Sequence, residues 1–418
     1  MDDFNSPQLI CKVKDIDLGF KGFLVIDSLL GGYCAGGVRM TPTVTEEEII
    51  QLARSMTKKY GFLNIYMGGA KSGIVFPFNE SPERRKAVLT AFGKKLGFIL
   101  RAGIYYPGTD IGTKDEDIQL IERGAGINAY AEEGADNRDS GYFTALAAVS
   151  AAKEIAEFAK IDVSKTTVAV EGFGKVGSSL AREISRQALV VGISTIKGAI
   201  YNPEGLDVER LYDNCKKCGE DAVHIYQPAE KISVEDLLTA DIDILFLCGK
   251  PKSITPGNVN KVKAKIVIGA GNLCFDDGAD EILHRHGVYV FPDFITGCGG
   301  VLGLTLKEKG LSGVNIDKVI REDFSEKIKH FIELSWGKKQ SPFKIADDIV
   351  RKNIERMQLK GNQKSRSKLI LFLNLLINGQ WKFLISKVVT NIIPSKYYHF
   401  KKIQKFIMRH ARDHFRTN

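Results

Sequence analysis

The chain has 418 residues, 44% hydrophobic and 26% charged, which excludes a disordered or low-complexity protein and leaves room for two or three domains with a substantial core. Its net charge of +9 is uneven: residues 360–418 hold 13 of the 59 Lys and Arg side chains and one of the 50 acids, so the rest is nearly neutral. Seven scattered cysteines and an acidic, polar start without an apolar run argue for a reducing, cytoplasmic setting and against a disulfide framework.

Residues 22–38 read as a strand, a glycine-rich turn and a second strand. Thr45 followed by Glu48 makes a capping box for the helix that continues through 47–61. GGAKSGIVF at 68–76 reads as a turn feeding a strand. Residues 82–101 read as one helix opened by Pro82, and YYPGTDIGT at 105–113 as a loop. A strong helix spans 142–160. Then strands and helices alternate: strand 166–171, helix 176–186, strand 188–195, helices near 207–218 and 233–238, strands 243–248 and 263–271, helix 280–287, strand 288–293. Such alternation implies a mainly parallel sheet covered on both faces. Helices 313–334 and 342–357 follow.

Gly172-Phe173-Gly174-Lys175-Val176-Gly177 is a G-x-G-x-x-G run that leaves a strand and opens a helix. The first glycine permits the tight turn, the second lets backbone approach a pyrophosphate, and the third packs helix against strand. The helix N-terminus adds free N–H groups and a positive dipole end. The next strand ends in Thr195, where an acid would ordinarily hold a ribose 2′-hydroxyl, and Lys197 follows. Loss of the acid removes repulsion against a 2′-phosphate; alternatively Glu204, Asp207 or a backbone group serves the ribose. The cofactor is therefore NAD or NADP.

Lys59 stands at a helix end and Lys71 among glycines. A desolvated lysine has a lowered pKa and can act as a general base near neutral pH. Asp110, flanked by small residues in PGTDIGT, is a carboxylate suited to moving a proton to or from an amine. Taken singly, each is more often a solvated surface charge.

GGVRM at 36–40, MTKKYGFLNIYMGGAKSG at 56–73, PGTDIGT at 107–113, GFGKVG at 172–177 and KGAIYNPEGLD at 197–207 resemble, in order, the Glu/Leu/Phe/Val amino-acid dehydrogenase family over residues 10–310. The resemblance implies an α/β fold. Residues 1–140 would form an α/β substrate domain and 141–310 a Rossmann-type dinucleotide-binding domain. Helices 311–358 would return to the substrate domain, and 359–418 would be a helical C-terminal extension. It further implies Lys71 as the base that activates water and Asp110 as proton carrier for the amino group. Lys59 would bind the substrate carboxylate, with Ala35, Gly36 and Gly37 lining the substrate. Thr144, Ala270 and Asn272 would lie by the nicotinamide. The active site would fall in an interdomain cleft of a homo-oligomer, converting an amino acid to its 2-oxo acid.

Three positions depart from the family pattern. Glutamate-specific members carry a lysine where this chain has Ala35, so an acidic side chain would lack its partner and a non-acidic substrate is expected. The asparagine before the late Ala-Gly-Gly is Gly297. In the Gly269-Ala270-Gly271-Asn272 turn the asparagine is displaced by one position. A protein that kept the fold and lost turnover is the rival reading.

Cys215-Lys216-Lys217-Cys218 has no second pair at zinc spacing, and His284 and His286 point to different helix faces, so no metal is expected. GNQKSRSK at 361–368 reads as a linker. Asn374, Asn378, Lys382, Ser386 and Thr390 recur every four residues and draw a polar stripe on an apolar helix, and the chain after Pro394 is strongly basic. That tail suits a helical cap, an oligomer contact or an anionic membrane surface; nucleic acid is not the expected partner.

Overall fold

The computed structural model describes residues 6–128, 138–276 and 278–377, with backbone alone for 360–377. The chain forms two α/β halves.

The first half holds β1 (Leu9–Asp15), β2 (Phe20–Ile26), β3 (Cys34–Thr41), β4 (Gly68–Val75) and β5 (Tyr105–Thr109), in the order β1-β2-β4-β3-β5. β4 runs antiparallel to β2 and parallel to β3, and β5 runs parallel to β3. One face is covered by the helix Glu46–Leu63, whose N-cap Thr45 accepts from Glu48 N at 3.2 Å. Ile49, Leu52 and Ala53 of that helix bury Phe23 and Val25 of β2. The other face buries Leu24, Ile26, Val38 and Ile74 under Val88, Leu89, Phe92, Ile118 and Ile121 from helices Pro82–Lys95 and Asp115–Gly124. Each face is thus apolar for a packing reason, and the sheet is the middle of three layers.

The second half holds β6 (Thr167–Glu171), β7 (Leu189–Thr195), β8 (Gly198–Tyr201), β9 (Glu230–Ile232), β10 (Ile244–Leu247), β11 (Ile266–Gly269) and β12 (Tyr289–Val290). Their order is β12-β11-β10-β6-β7-β8-β9. The strands from β12 to β7 are parallel, as expected, while β8 and β9 are antiparallel additions. The almost wholly buried helix Ser140–Phe158 packs beneath this sheet. The helix Pro342–Ile377 returns to the first half at its start: Asn353 Nδ2 donates to Gly61 O at 2.9 Å, and Lys58 pairs with Asp347 at 2.8 Å.

Four local expectations are corrected. GGAKSG is strand β4 and not a turn. Its glycines are there for closeness: a Cβ at Gly68 would meet Ser28 O at 2.0 Å, and one at Gly69 would meet Thr57 N at 2.2 Å. Residues 105–109 are strand β5, with Asp110 just past its end. The single helix over 82–101 is two, Pro82–Lys95 and Gly97–Arg101, parted at Leu96 before Gly97. Residues 361–368 are helix and not linker: one glycine costs about 1 kcal/mol, too little to stop an established helix running through Gln, Lys and Arg. Among the described residues no helix is long and apolar enough to cross a membrane. The striped and basic segments beyond residue 377 lie outside the described residues.

Candidate active site

Lys71 sits mid-strand in β4, paired with Val25 of β2, so its side chain leaves the sheet on the face of the helix Glu46–Leu63. It is 4% exposed, and its Nζ lies 2.9 Å from Asp110 Oδ2. The same oxygen accepts from Arg39 Nε at 3.0 Å, and Arg39 Nη1 reaches Glu48 on the overlying helix. Desolvation pulls the Lys71 pKa below the ordinary lysine value; Asp110 opposes this, and Arg39 and Lys59 reinforce it. Burial works against ionisation of Asp110, but Lys71 and Arg39 hold its carboxyl well below the usual range. Gly37 explains the clearance: a Cβ there would meet Thr109 O at 2.8 Å and Lys71 Nζ at 3.2 Å.

Lys59 approaches from the helix Glu46–Leu63. Its Nζ donates to Asn272 Oδ1 at 2.8 Å, joining the first half to the turn after β11. Burial lowers its pKa, and Asp293 partly offsets this. Burial raises the pKa of Asp293 itself, against Lys59 and the backbone N–H groups that its carboxyl accepts. Lys59, Lys71 and Arg39 meet the acids Asp110, Glu48 and Asp293. Lys59, whose side-chain hydrogen bond is to a neutral amide, is the cation placed to meet a bound carboxylate.

The Ala35 register lies one step further down the same sheet face. Ala35 is opposite Gly69 on one side and Tyr106 on the other. The ring of Tyr33 stands edge-on to Tyr106 at 6.4 Å and to Tyr66 at 6.2 Å. Gly36 is fixed by contact, since a Cβ would fall 1.6 Å from Ala70 O.

The glycine turn after β6 behaves as three distinct positions. Gly172 has φ 88°, and a Cβ would meet Gly249 Cα at 2.4 Å; a Cβ at Gly177 would meet Gly172 O at 1.7 Å. A Cβ at Gly174 meets nothing within 4 Å. Gly174 also caps the helix Lys175–Ile184, whose first N–H groups have no side-chain cap. This is the cradle a dinucleotide pyrophosphate fits. Phe173 is buried in the core below, Val176 packs against it, and Lys175 pairs with Asp139 at 3.1 Å.

Other expected positions are engaged in the fold. Thr144 Oγ1 donates to Ser140 O at 2.8 Å and accepts from Gly300 N at 3.0 Å, tying two helices together. Thr195 Oγ1 donates to Glu220 O at 2.9 Å and accepts from Lys197 N at 3.1 Å. Asp207 caps the helix Val208–Cys218, and Asn202 closes the NPEGLD turn through Gly205 O at 2.8 Å. The Ala270 amide is held by Leu247 O at 2.8 Å. His284 sits edge-on to Trp336 and Phe343. Among the described residues no group of three or more His, Cys, Asp or Glu side chains is placed to hold a metal.

Two residues escaped the sequence reading. Arg39 is 2% exposed and carries the Asp110–Glu48 link, and its Nη2 has no hydrogen-bond partner among the described residues. The signal was a cation inside an apolar strand. Glu171, at the end of β6, accepts from Gly249 N at 2.9 Å and Ser253 Oγ at 3.0 Å, bracing the floor of the glycine turn. Burial raises its pKa. An acid ending the run TTVAV was the corresponding signal.

Known proteins are similar to this chain in sequence and fold. The profile described as Glutamate/Leucine/Phenylalanine/Valine dehydrogenase matches residues 136–342, and that of the Glu/Leu/Phe/Val dehydrogenase dimerisation domain matches 7–125. The glutamate dehydrogenase of Thermotoga maritima is 32% identical over 300 residues, 68% of this chain and 70% of that protein. The NADP-specific glutamate dehydrogenase of Saccharolobus shibatae is 30% identical over 323 residues, 72% of this chain and 76% of that protein. A hetero-hexameric glutamate dehydrogenase from Thermus thermophilus, solved in a Leu-bound form, superposes with a TM-score of 0.72 at 22% identity, covering 85% of this chain and 89% of that one.

Proposed function

The chain belongs to the Glu/Leu/Phe/Val dehydrogenase family as an NAD(P)-dependent amino-acid dehydrogenase, and from that premise we propose that it interconverts a non-acidic L-amino acid with its 2-oxo acid and ammonia. The observation that carries this reading is the buried Lys71–Asp110 contact, with Lys59 above it and a lysine-free register at Ala35 beside it.

In this reading Lys59 holds the substrate carboxylate and Asp110 faces the amino group. A nicotinamide dinucleotide held at residues 172–177 would supply the acceptor for the hydride of the Cα–H bond. The resulting imine carbon carries positive charge. Lys71, in the free-base form that desolvation favours, removes a proton from water as the water oxygen bonds to that carbon. Asp110, having taken a proton from the substrate ammonium before hydride loss, returns it to nitrogen. The C–N bond then breaks with its electrons on ammonia as the carbinol oxygen forms the carbonyl and gives its proton to the Asp110 carboxylate, while Lys71 keeps the proton it took from water. Arg39 favours the Asp110 carboxylate between proton transfers and keeps it pointed at Lys71. Residues 172–177 would seat the pyrophosphate, with Thr144 and Ala270 bordering the nicotinamide side.

The two sequence relatives are glutamate dehydrogenases by name. A glutamate side chain here would face Ala35 and the half-buried Tyr33, Tyr66 and Tyr106 rings, with no lysine at 35 to pair with its carboxylate. A large apolar or aromatic side chain fits that wall. The same premise makes the protein a homo-oligomer; Phe78 and Phe98, 74% and 77% exposed, are surface that a subunit contact would cover.

The test is an absorbance screen of amino acids and 2-oxo acids with NAD and NADP. Turnover of apolar or aromatic substrates, with glutamate poor, supports the reading. No turnover by wild type across the panel rejects the dehydrogenase assignment, and glutamate as best substrate rejects the substrate class.

A further inference from the structure

Two places where the sequence leaves the family pattern converge on one ammonium. Lys59 Nζ donates to Asn272 Oδ1 at 2.8 Å. A Cβ built at Gly297 would lie 2.8 Å from Asp293 O, 3.3 Å from Gly271 O and 3.6 Å from the same nitrogen. A side chain at 297 would need the Asp293 carbonyl to shift, and would then enter the space beside Lys59 from a second direction. The chain has a polar side chain at 272 and none at 297.

We propose that Asn272 is the positioning residue for Lys59, supplying from the turn after β11 an acceptor that a side chain at 297 would otherwise offer, and leaving the Gly297 side of the lysine open to the substrate carboxylate. This rests on the proposed role of Lys59 in holding that carboxylate.

The chemistry of the pair supports the division of labour. An ammonium has three donors and no acceptor. At 6% exposure Lys59 has little access to water, so a bare ammonium here would tend to shed its proton. Asn272 gives it a neutral acceptor. A neutral partner fixes the direction of the ammonium without cancelling its charge, so the charge remains for the substrate. Asp293, the acid with the largest influence on Lys59, has its own carboxyl bonded to Cys274 N at 3.2 Å. Thr296 Oγ1 is likewise committed, to Gly269 O at 2.5 Å. The asparagine amide is thus the side-chain group in direct hydrogen bond with Lys59.

The experiment compares wild type, Asn272→Ala and Asn272→Asp with the best amino acid found by the activity screen. Asn272→Ala is expected to raise KM for the amino acid about tenfold or more, the size of one hydrogen bond to a charged group, while kcat changes by less than about threefold. The rise in KM should steepen toward alkaline pH, because Lys59 without its acceptor loses its proton sooner. Asn272→Asp keeps the shape and places a carboxylate on the ammonium. It should also raise KM for the amino acid about tenfold or more, and it provides the reading if the alanine variant folds poorly. The dissociation constant of NADH or NADPH, read by nucleotide fluorescence, should stay unchanged in Asn272→Ala. An unchanged amino-acid KM, or an equal rise in the cofactor dissociation constant, overturns the proposal and leaves Asn272 a cofactor contact. Absence of turnover in wild type would instead reject the dehydrogenase reading itself, before either variant is considered.

Discussion

Lys71 Nζ and Asp110 Oδ2 lie 2.9 Å apart, the lysine from the middle of β4 and the aspartate from just beyond β5. β3 separates the two strands, and Gly37 on it has no side chain to come between them. The pair is shut off from water while Arg39 and Lys59 add positive charge around it. A lysine so placed can give up its proton without leaving the site.

The pH dependence of oxidation tests that arrangement. kcat/KM should rise with pH as Lys71 deprotonates, with its midpoint below the ordinary lysine value because desolvation outweighs Asp110. Asp110 favours the charged lysine, so Asp110→Asn should move the rising limb to lower pH. The same variant should lower kcat by about 10²- to 10⁴-fold through loss of the proton carrier. A limb that moves to higher pH contradicts the electrostatic ordering.

Arg39→Met removes a buried guanidinium from between Asp110 and Glu48. Leaving those acids short of a partner should cost about 3–5 kcal/mol in denaturant unfolding. Arg39 lowers the Lys71 pKa, so its loss should also shift the rising limb upward in pH. Wild-type stability in this variant would remove Arg39 from the account.

Gly174→Ala and Gly177→Ala separate cofactor contact from packing. At 174 a Cβ meets no protein atom within 4 Å, so the variant should melt as wild type does yet bind NAD(P)H at least about tenfold more weakly. At 177 a Cβ would fall 1.7 Å from Gly172 O, so thermal stability should drop as well. Unaltered cofactor binding in Gly174→Ala would mean that the pyrophosphate lies elsewhere.

Much of this site was legible in the chain because short motifs carried it. Lys59, Lys71 and the glycine turn each stood in a segment whose residue types only make sense together. The strand at 68–75 was misread because glycine signals turns far more often than close packing, and only neighbours distant in sequence, Ser28 and Thr57, reveal why Gly68 and Gly69 are small. Arg39 was missed for a related reason: its partners are Asp110 and Glu48, and strand periodicity does not say that a buried cation has two acids waiting. Asn272 and Gly297 read as separate departures, and their meeting at Lys59 required the fold.

Ala35→Lys would place an ammonium on the sheet face next to Tyr106 and Tyr33. The ratio of kcat/KM for glutamate over the best apolar substrate should rise at least about tenfold, one charge-assisted hydrogen bond's worth. No change in that ratio would place the side-chain pocket away from residue 35.

The most direct measurement is steady-state turnover of Lys71→Ala beside NAD(P)H binding by the same protein. Loss of a buried general base should lower kcat by at least about 10²-fold while cofactor affinity stays at the wild-type value. Full turnover in that variant would contradict the assignment of Lys71 as the base.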